Sequence, residues 1–392
     1  MIAPAARLAC QMLAGYHELA ALRASWQALC DRSPACTPFQ RPDWLLPWVK
    51  YLGPAEPWIL VAHSLDFFVD LPVDHSAAHP VDRLVGLVPL FRYRREQDGR
   101  QQRVLTLLGA GISDHLDPLF EPGREEPALA AILAELHARR ADWDVCELDE
   151  QQPSSPLAAG ALPPGRSPDW PGWSIDVSRQ SVCPLLPLPP RVTQLDQHVP
   201  ASHLQRFRHY QRRARREGVL RLEAAGERNR ERLLEGLFRL HALRWQQSGE
   251  PGVLAQPHMD ELHAEVAEAF AARDALALYG LWLDDWLIAC LYGFFEARTL
   301  CFYISGFDPA AAHLDPGTLI VGMVIEDAIE RGMTQFDFLR GGEPYKYWWG
   351  ATDRVNLCVC LRCSGVAGAI ALAEDLTPSH TAAGTGRDIA TS

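Results

Sequence analysis

Long unbroken hydrophobic runs are missing from this 392-residue chain, and with them any segment able to cross a bilayer as a helix. The opening stretch MIAPAARLACQMLAG carries Arg7 inside its apolar part and is too short for the core of a secretion signal, so a cytoplasmic location is expected. Positive charge is in deficit: 37 Lys and Arg face 49 Asp and Glu, and the net charge of −12 disfavours a general nucleic-acid binder while leaving room for a local basic patch. Paired metal-binding spacings are absent as well. The ten cysteines are scattered singly apart from Cys358, Cys360 and Cys363, and no second Cys or His group completes a zinc pattern. Buried free thiols and no metal are expected; His115, Asp117 and His313 fall on loops without a third partner. The chain also lacks G-x-S-x-G and any Cys-His catalytic signature, which removes the common acyl-enzyme nucleophiles.

What is present is a globular composition, 48% hydrophobic and 22% charged, long enough for two domains. A helix around Tyr16 to Cys30 places Leu19, Leu22, Trp26 and Leu29 at helical spacing. The stretch TPFQRPDWLLPWVKYLG follows, with Phe39, Trp44 and Trp48 either lining a pocket or filling a core. Three strands (PWILVAH, LVGLVPLFRYRR, QRVLTLLG) precede a loop, a helix from about Glu125 to Arg140 and the strand WDVCELDE; a DG turn joins the second and third. The polar insertion Asp74 to Asp82 reads as a surface loop. After a proline-dense stretch come an arginine-loaded helix, Ser202 to Glu217, and two helices with apolar stripes. The arginine helix is either a phosphate-facing surface or a solvated face paired with acids. Then ALALYGLWL, WLIACLYGFF and TLCFYISGFD, a loop, a helix from Leu319 to Arg331 and the strand QFDFLRG repeat the first order, so Asp337 mirrors Asp144.

The densest chemistry lies in FDFLRGGEPYKYWWG, Phe336 to Gly350. Asp337 interrupts a short apolar strand, and Gly341 and Gly342 allow a sharp exit. Glu343, Tyr345 and Lys346 then stand beside Trp348 and Trp349. This order and spacing resembles the signature of the CelD-type acyltransferase branch of the GNAT superfamily, which is related to Fem-type tandem GNAT proteins. Further likenesses are TPFQ-x-P-x-W and LFRLHALRW, with His241, Arg244 and Trp245. Together they cover roughly Thr37 to Cys363.

The resemblance implies an α/β tandem GNAT-like fold with two mixed sheets and flanking helices. The expected division is an N-terminal domain at 1–178, a proline-rich linker at 179–200, a C-terminal acyltransferase domain at 201–365 and a tail at 366–392. It implies N-acyl transfer, an acetyl group above all, from acyl-CoA to an amine acceptor linked to exopolysaccharide, cellulose or envelope precursors. By analogy, Ile304, Ser305 and Gly306 would polarise the acyl carbonyl, and Gly317, Thr318 and Leu319 would hold the donor's pyrophosphate at a helix start. HLDPGTLIVG departs from the usual Q/R-x-x-G-x-G/A loop and puts Asp315 near those phosphates. Direct attack needs a base, for which Glu343 and Asp337 are candidates, and an acid, Tyr345. Arg340, Lys346, Trp349, His241, Arg244 and Trp245 are candidates for binding substrate. Two other readings stay open: a Fem-like transferase that uses aminoacyl-tRNA on the arginine helix, and a non-catalytic member of a polysaccharide-synthesis assembly.

Overall fold

The computed structural model describes residues 8–53, 56–64, 83–158, 173–249 and 252–363; the insertion Asp74 to Asp82 and the tail beyond 365 lie outside them. Along the chain run β1 (Leu8–Leu13), α1 (Tyr16–Ala21), α2 (Arg23–Arg32), α3 (Pro42–Tyr51), β2 (Pro57–Ser64), β3 (Arg83–Gln97), β4 (Arg100–Leu107), β5 (Leu119–Phe120), α4 (Glu125–Ala138) and β6 (Val145–Gln151). They are followed by β7 (Trp173–Pro187), α5 (Ala201–Glu217), β8 (Leu220–Ala224), α6 (Arg230–Ser248), α7 (Met259–Ala271), β9 (Leu276–Leu283), β10 (Trp286–Glu296) and β11 (Thr299–Phe307). The last elements are α8 (Pro316–Glu330), β12 (Gln335–Asp337), α9 (Pro344–Trp348) and β13 (Thr352–Cys363).

Two compact units divide these elements. The first holds described residues within 1–19, 54–180 and 357–390; the second is built from 20–53 and 181–356. In the first, the strand order is β1-β2-β3-β4-β6-β13, antiparallel except for the parallel pair β4·β6, with β5 beside β3. The β3–β4 hairpin turns at Asp98 and Gly99, both with positive φ, the backbone that a two-residue turn between right-twisted strands demands. Asp144, just before β6, is ion-paired with Arg103 at 2.8 Å.

The second unit repeats that plan. Its order is β7-β12-β11-β10-β9-β8, again antiparallel except for one parallel pair, β11·β12, and α8 supplies the crossover that a parallel pair needs. A mixed α/β fold with duplicated strand-helix order is therefore present, as the sequence pattern indicates. One expectation is corrected: the stretch 179–200 is not simply a linker, because β7 runs through Pro187 and pairs with β12 at Leu185, Leu186 and Pro187. Pro184 and Pro187 cost β7 two donors but not its acceptors; Phe338 N–H bonds to the Pro184 carbonyl at 2.9 Å. Phe39 and Trp44 are fully buried in this unit, edge-on to each other, with Phe39 edge-on to Phe294 and Trp44 edge-on to Tyr303, so they fill a core.

Candidate active site

The pairing of β11 with β12 lasts three residues, Thr299 to Cys301 against Gln335 to Asp337. Beyond Cys301 the two strands part, while β11 stays paired to β10 through Phe307. On the β12 side β11 has no partner strand over the segment 302–306 among the described residues, and its register against β10 shifts at Tyr303. Gly306 lets α6 close over this segment: a Cβ there would meet the His241 amide nitrogen at 2.5 Å and the Leu240 carbonyl carbon at 2.7 Å. The result is a shallow pocket that opens to solvent. Ile304 and Ser305 from β11, His241, Arg244 and Trp245 from α6, Arg340 and Glu343 from the loop after β12, and Tyr345 and Lys346 from α9 line it.

That loop is held in an unfavourable backbone shape by two buried charges. Leu339 has φ of 55°, a left-handed conformation that costs a leucine on the order of 1–3 kcal/mol. Asp337, 2% exposed, accepts the Leu339 N–H at 2.8 Å and is ion-paired with Arg354. Lys346, also 2% exposed, donates to the carbonyls of Leu339 (3.3 Å), Arg340 (2.8 Å) and Gly341 (3.0 Å). Two expectations change in consequence. Asp337 supports the loop from below and does not line the pocket, so its carboxylate is spent on structure; the Lys346 ammonium is likewise committed to the loop and not to a substrate anion. Trp349, 1% exposed against His203 and Phe207, is core as well.

Glu343 and Tyr345 do face the pocket. The Glu343 carboxylate lies over Gly341, whose φ of 113° and missing Cβ make the space; a Cβ would sit 2.5 Å from Oε1. Its Oε2 is 2.7 Å from Lys346 Nζ, off the line of a hydrogen bond, and is a buried oxygen with no donor directed at it among the described residues. Burial, then the Glu343 charge, holds the Tyr345 phenol well above its usual range, so it stays protonated at neutral pH. His241 Nε2 accepts from Trp245 Nε1 at 2.9 Å, which places the ring proton on Nδ1. Burial and then Arg244 push its pKa down to about 4, so the imidazole is neutral.

Gly317, Thr318 and Leu319 stand at the start of α8, and none lines this pocket. The turn is already occupied by the chain's own acid. Asp315 caps α8 through Thr318 N–H (3.5 Å), its carbonyl takes the Leu319 N–H, and Arg206 pairs with its carboxylate at 2.7 Å. Pro316 has no N–H. Among the described residues only the Gly317 amide is unspent there, with nothing within 4 Å of a Cβ position. One amide beside a carboxylate is a poor seat for a diphosphate.

On α5, Arg206 and Arg213 are paired with Asp315 and Glu217. Arg208, Arg212, Arg215 and Arg216 are exposed, with no ion pair among the described residues. The residues weighed as metal ligands have other partners: Asp117 accepts from Gln152, and His313 meets Glu217. Cys358 is a free thiol that burial pushes up to about 12. Sequence reasoning missed the wall made by Val253, Phe302, Tyr303, Phe338 and Leu339. Residues flanking a polar motif, such as Phe338 and Leu339, were legible as neighbours; Val253 carries no signal of its place.

Residues 201–347 match the sequence family described as Acetyltransferase (GNAT) domain, a segment that contains every lining residue of the pocket. No curated protein matches the chain. Among solved structures the chain is similar to FemX, with 10% identity, 89% of this chain and 96% of that one covered, and a TM-score of 0.55. It is also similar to a conserved protein of unknown function from Bacteroides thetaiotaomicron VPI-5482 (10% identity, 89% and 97% covered, TM-score 0.51). At such identities the likeness speaks for the fold alone.

Proposed function

We propose that the second unit is an N-acyltransferase that moves an acyl group, acetyl above all, directly from an activated donor to an amine. The observation that carries this is the parting of β11 from β12, with Glu343 and Tyr345 on the wall of the gap. An acyl carbonyl laid against β11 would have its oxygen near backbone amides of the segment 302–306, which stabilise negative charge as it develops. Glu343 Oε2, which is ion-paired with Lys346 but takes no hydrogen bond among the described residues, accepts the proton of the attacking amine. Tyr345, kept neutral by burial, gives its proton to the leaving atom as the bond to the carbonyl carbon breaks. The CelD-type resemblance of FDFLRGGEPYKYWWG supports an acceptor among exopolysaccharide, cellulose or envelope precursors, and with it a cytoplasmic enzyme.

The family match favours acyl-CoA as donor, whereas the occupied turn at α8 does not suit its diphosphate. A second reading, an aminoacyl-tRNA donor, is favoured by that misfit together with the exposed arginines of α5. Calorimetric titration separates the two. With acetyl-CoA as donor, Asp315→Asn keeps a capping side chain but removes a charge. At an effective dielectric of about 50 and about 6 Å the change is worth about 1 kcal/mol per phosphate charge, about 2 kcal/mol for the two charges of the diphosphate, and binding tightens about thirtyfold. No heat from acetyl-CoA with either protein, and RNA binding that weakens steeply with salt, would replace the first reading by the second.

A further inference from the structure

The pocket is electrically two-sided, and its two charges do not neutralise each other. On one wall Arg244 extends from α6 over the Phe307 ring, its guanidinium carbon 5.5 Å from the centroid, and has no ion pair among the described residues. On the other, Glu343 presents the buried Oε2 at which no hydrogen-bond donor is directed. Lys346 stands beside that oxygen but is already held by three backbone carbonyls. Tyr345 sits within the influence of both walls: after burial, Glu343 raises its phenol while Arg244 works in the opposite sense. The Glu343 charge is balanced by Lys346 at 2.7 Å, yet its Oε2 takes no hydrogen bond among the described residues, and Arg244 has no counter-charge among them; together they leave room for a donor at one end and an anion at the other.

We infer that the ligand of this pocket is an amine that also bears a carboxylate, its nitrogen turned to Glu343 and its carboxylate to Arg244. The guanidinium fork matches a carboxylate's two oxygens, and the Phe307 ring lies within cation–π reach of it. A neutral amino sugar would satisfy Glu343 and leave Arg244 without its anion. The inference rests on reading this pocket as the acyl acceptor's site, and it narrows the acceptor to amino acids, their peptides or acidic amino sugars.

The test uses binding, so it does not depend on turnover. Straight ω-amino acids of increasing length, their methyl esters and glucosamine are titrated into the full-length protein, and into the Arg244→Gln, Arg244→Lys and Glu343→Gln variants after their circular dichroism is matched to the parent. At least one amino acid is expected to bind, with its ester weaker by about tenfold or more, as loss of a charge-assisted pair implies. Arg244→Gln should erase the difference between acid and ester, Arg244→Lys should keep part of it, and Glu343→Gln should weaken both alike. Glucosamine or the esters binding as tightly as the acids, or no chain length binding at all, would overturn the inference. Coenzyme A titrated into the same samples keeps the two claims apart, because binding of the donor would leave the acyltransferase reading standing while this one falls.

Discussion

Replacing Lys346 by methionine tests how the loop that carries Glu343 and leads to Tyr345 is held. Methionine keeps most of the buried stem and deletes the ammonium, so packing changes little while four electrostatic contacts disappear. Three are hydrogen bonds to the carbonyls of Leu339, Arg340 and Gly341 at 2.8 to 3.3 Å, and the fourth is the Glu343 contact at 2.7 Å. What remains is a carboxylate and three carbonyls around a site that was 2% exposed, and a left-handed Leu339 held from one side alone. Breaking a buried pair in this way costs about 3–5 kcal/mol, and part of the Leu339 strain adds to it. For a unit of this size that is a fall in Tm of about 10 °C. Urea unfolding followed by tryptophan fluorescence reads the change, since Trp349 is buried a few residues away. A double-mutant cycle with Glu343→Gln should return a coupling of about 1–3 kcal/mol. A loss below about 1 kcal/mol for Lys346→Met would refute the claim that this ammonium shapes the loop.

Stability should fall with acid through two histidines. Burial is the main cause that brings His241 down to about 4 and His263 to about 3. Between those values and the unfolded value near 6.5 the unfolded chain binds more protons, so stability present above about pH 6.5 is lost as pH falls, about 2 kcal/mol per histidine by pH 5. His263 has no hydrogen bond on either ring nitrogen among the described residues, so His263→Met should be neutral or stabilising at pH 7 and should remove about half of that slope in urea titrations at pH 5 and 7. The two glycines of the proposed donor region should behave oppositely. Gly306→Ala drives a methyl into the α6 backbone and should cost about 1–3 kcal/mol, whereas Gly317→Ala meets open space and should be neutral or stabilising by up to about 1 kcal/mol. Equal effects at both positions would contradict the described closeness of α6 to β11.

The repeating strand-helix order was readable because its signals are local. Apolar runs between turn residues mark strands, Asp98-Gly99 marks a hairpin, and Asp315 and Gly332 bracket α8. The turn at Ala297 and Arg298 was not: both take positive φ without a glycine, and the Arg298 carbonyl accepts the Thr334 N–H at 2.8 Å. Nor was β7, because prolines read as linker until a partner strand supplies the ladder. Nothing local tells a helix which unit it packs with, which is why residues 20–53 appear in the second unit while preceding β2 in sequence. At the site, the motif from Asp337 to Trp349 drew attention to the right loop but not to the division of labour within it. An acid, a lysine and a tryptophan that looked equally functional separate by burial and partners: Asp337 and Trp349 lie off the pocket, Lys346 lines it with its ammonium bound to backbone carbonyls, and Glu343 and Tyr345 face it.

The claim that this pocket performs acyl transfer is tested most directly by turnover. Release of free coenzyme A from acetyl-CoA is followed with a thiol reagent, in the presence of a panel of amines, for the parent protein, Glu343→Gln and Tyr345→Phe. Each variant should retain the fold and lose about 10²–10⁴ in rate, the range for a lost acid or base. A parent protein that transfers acetyl while both variants match it would contradict the account.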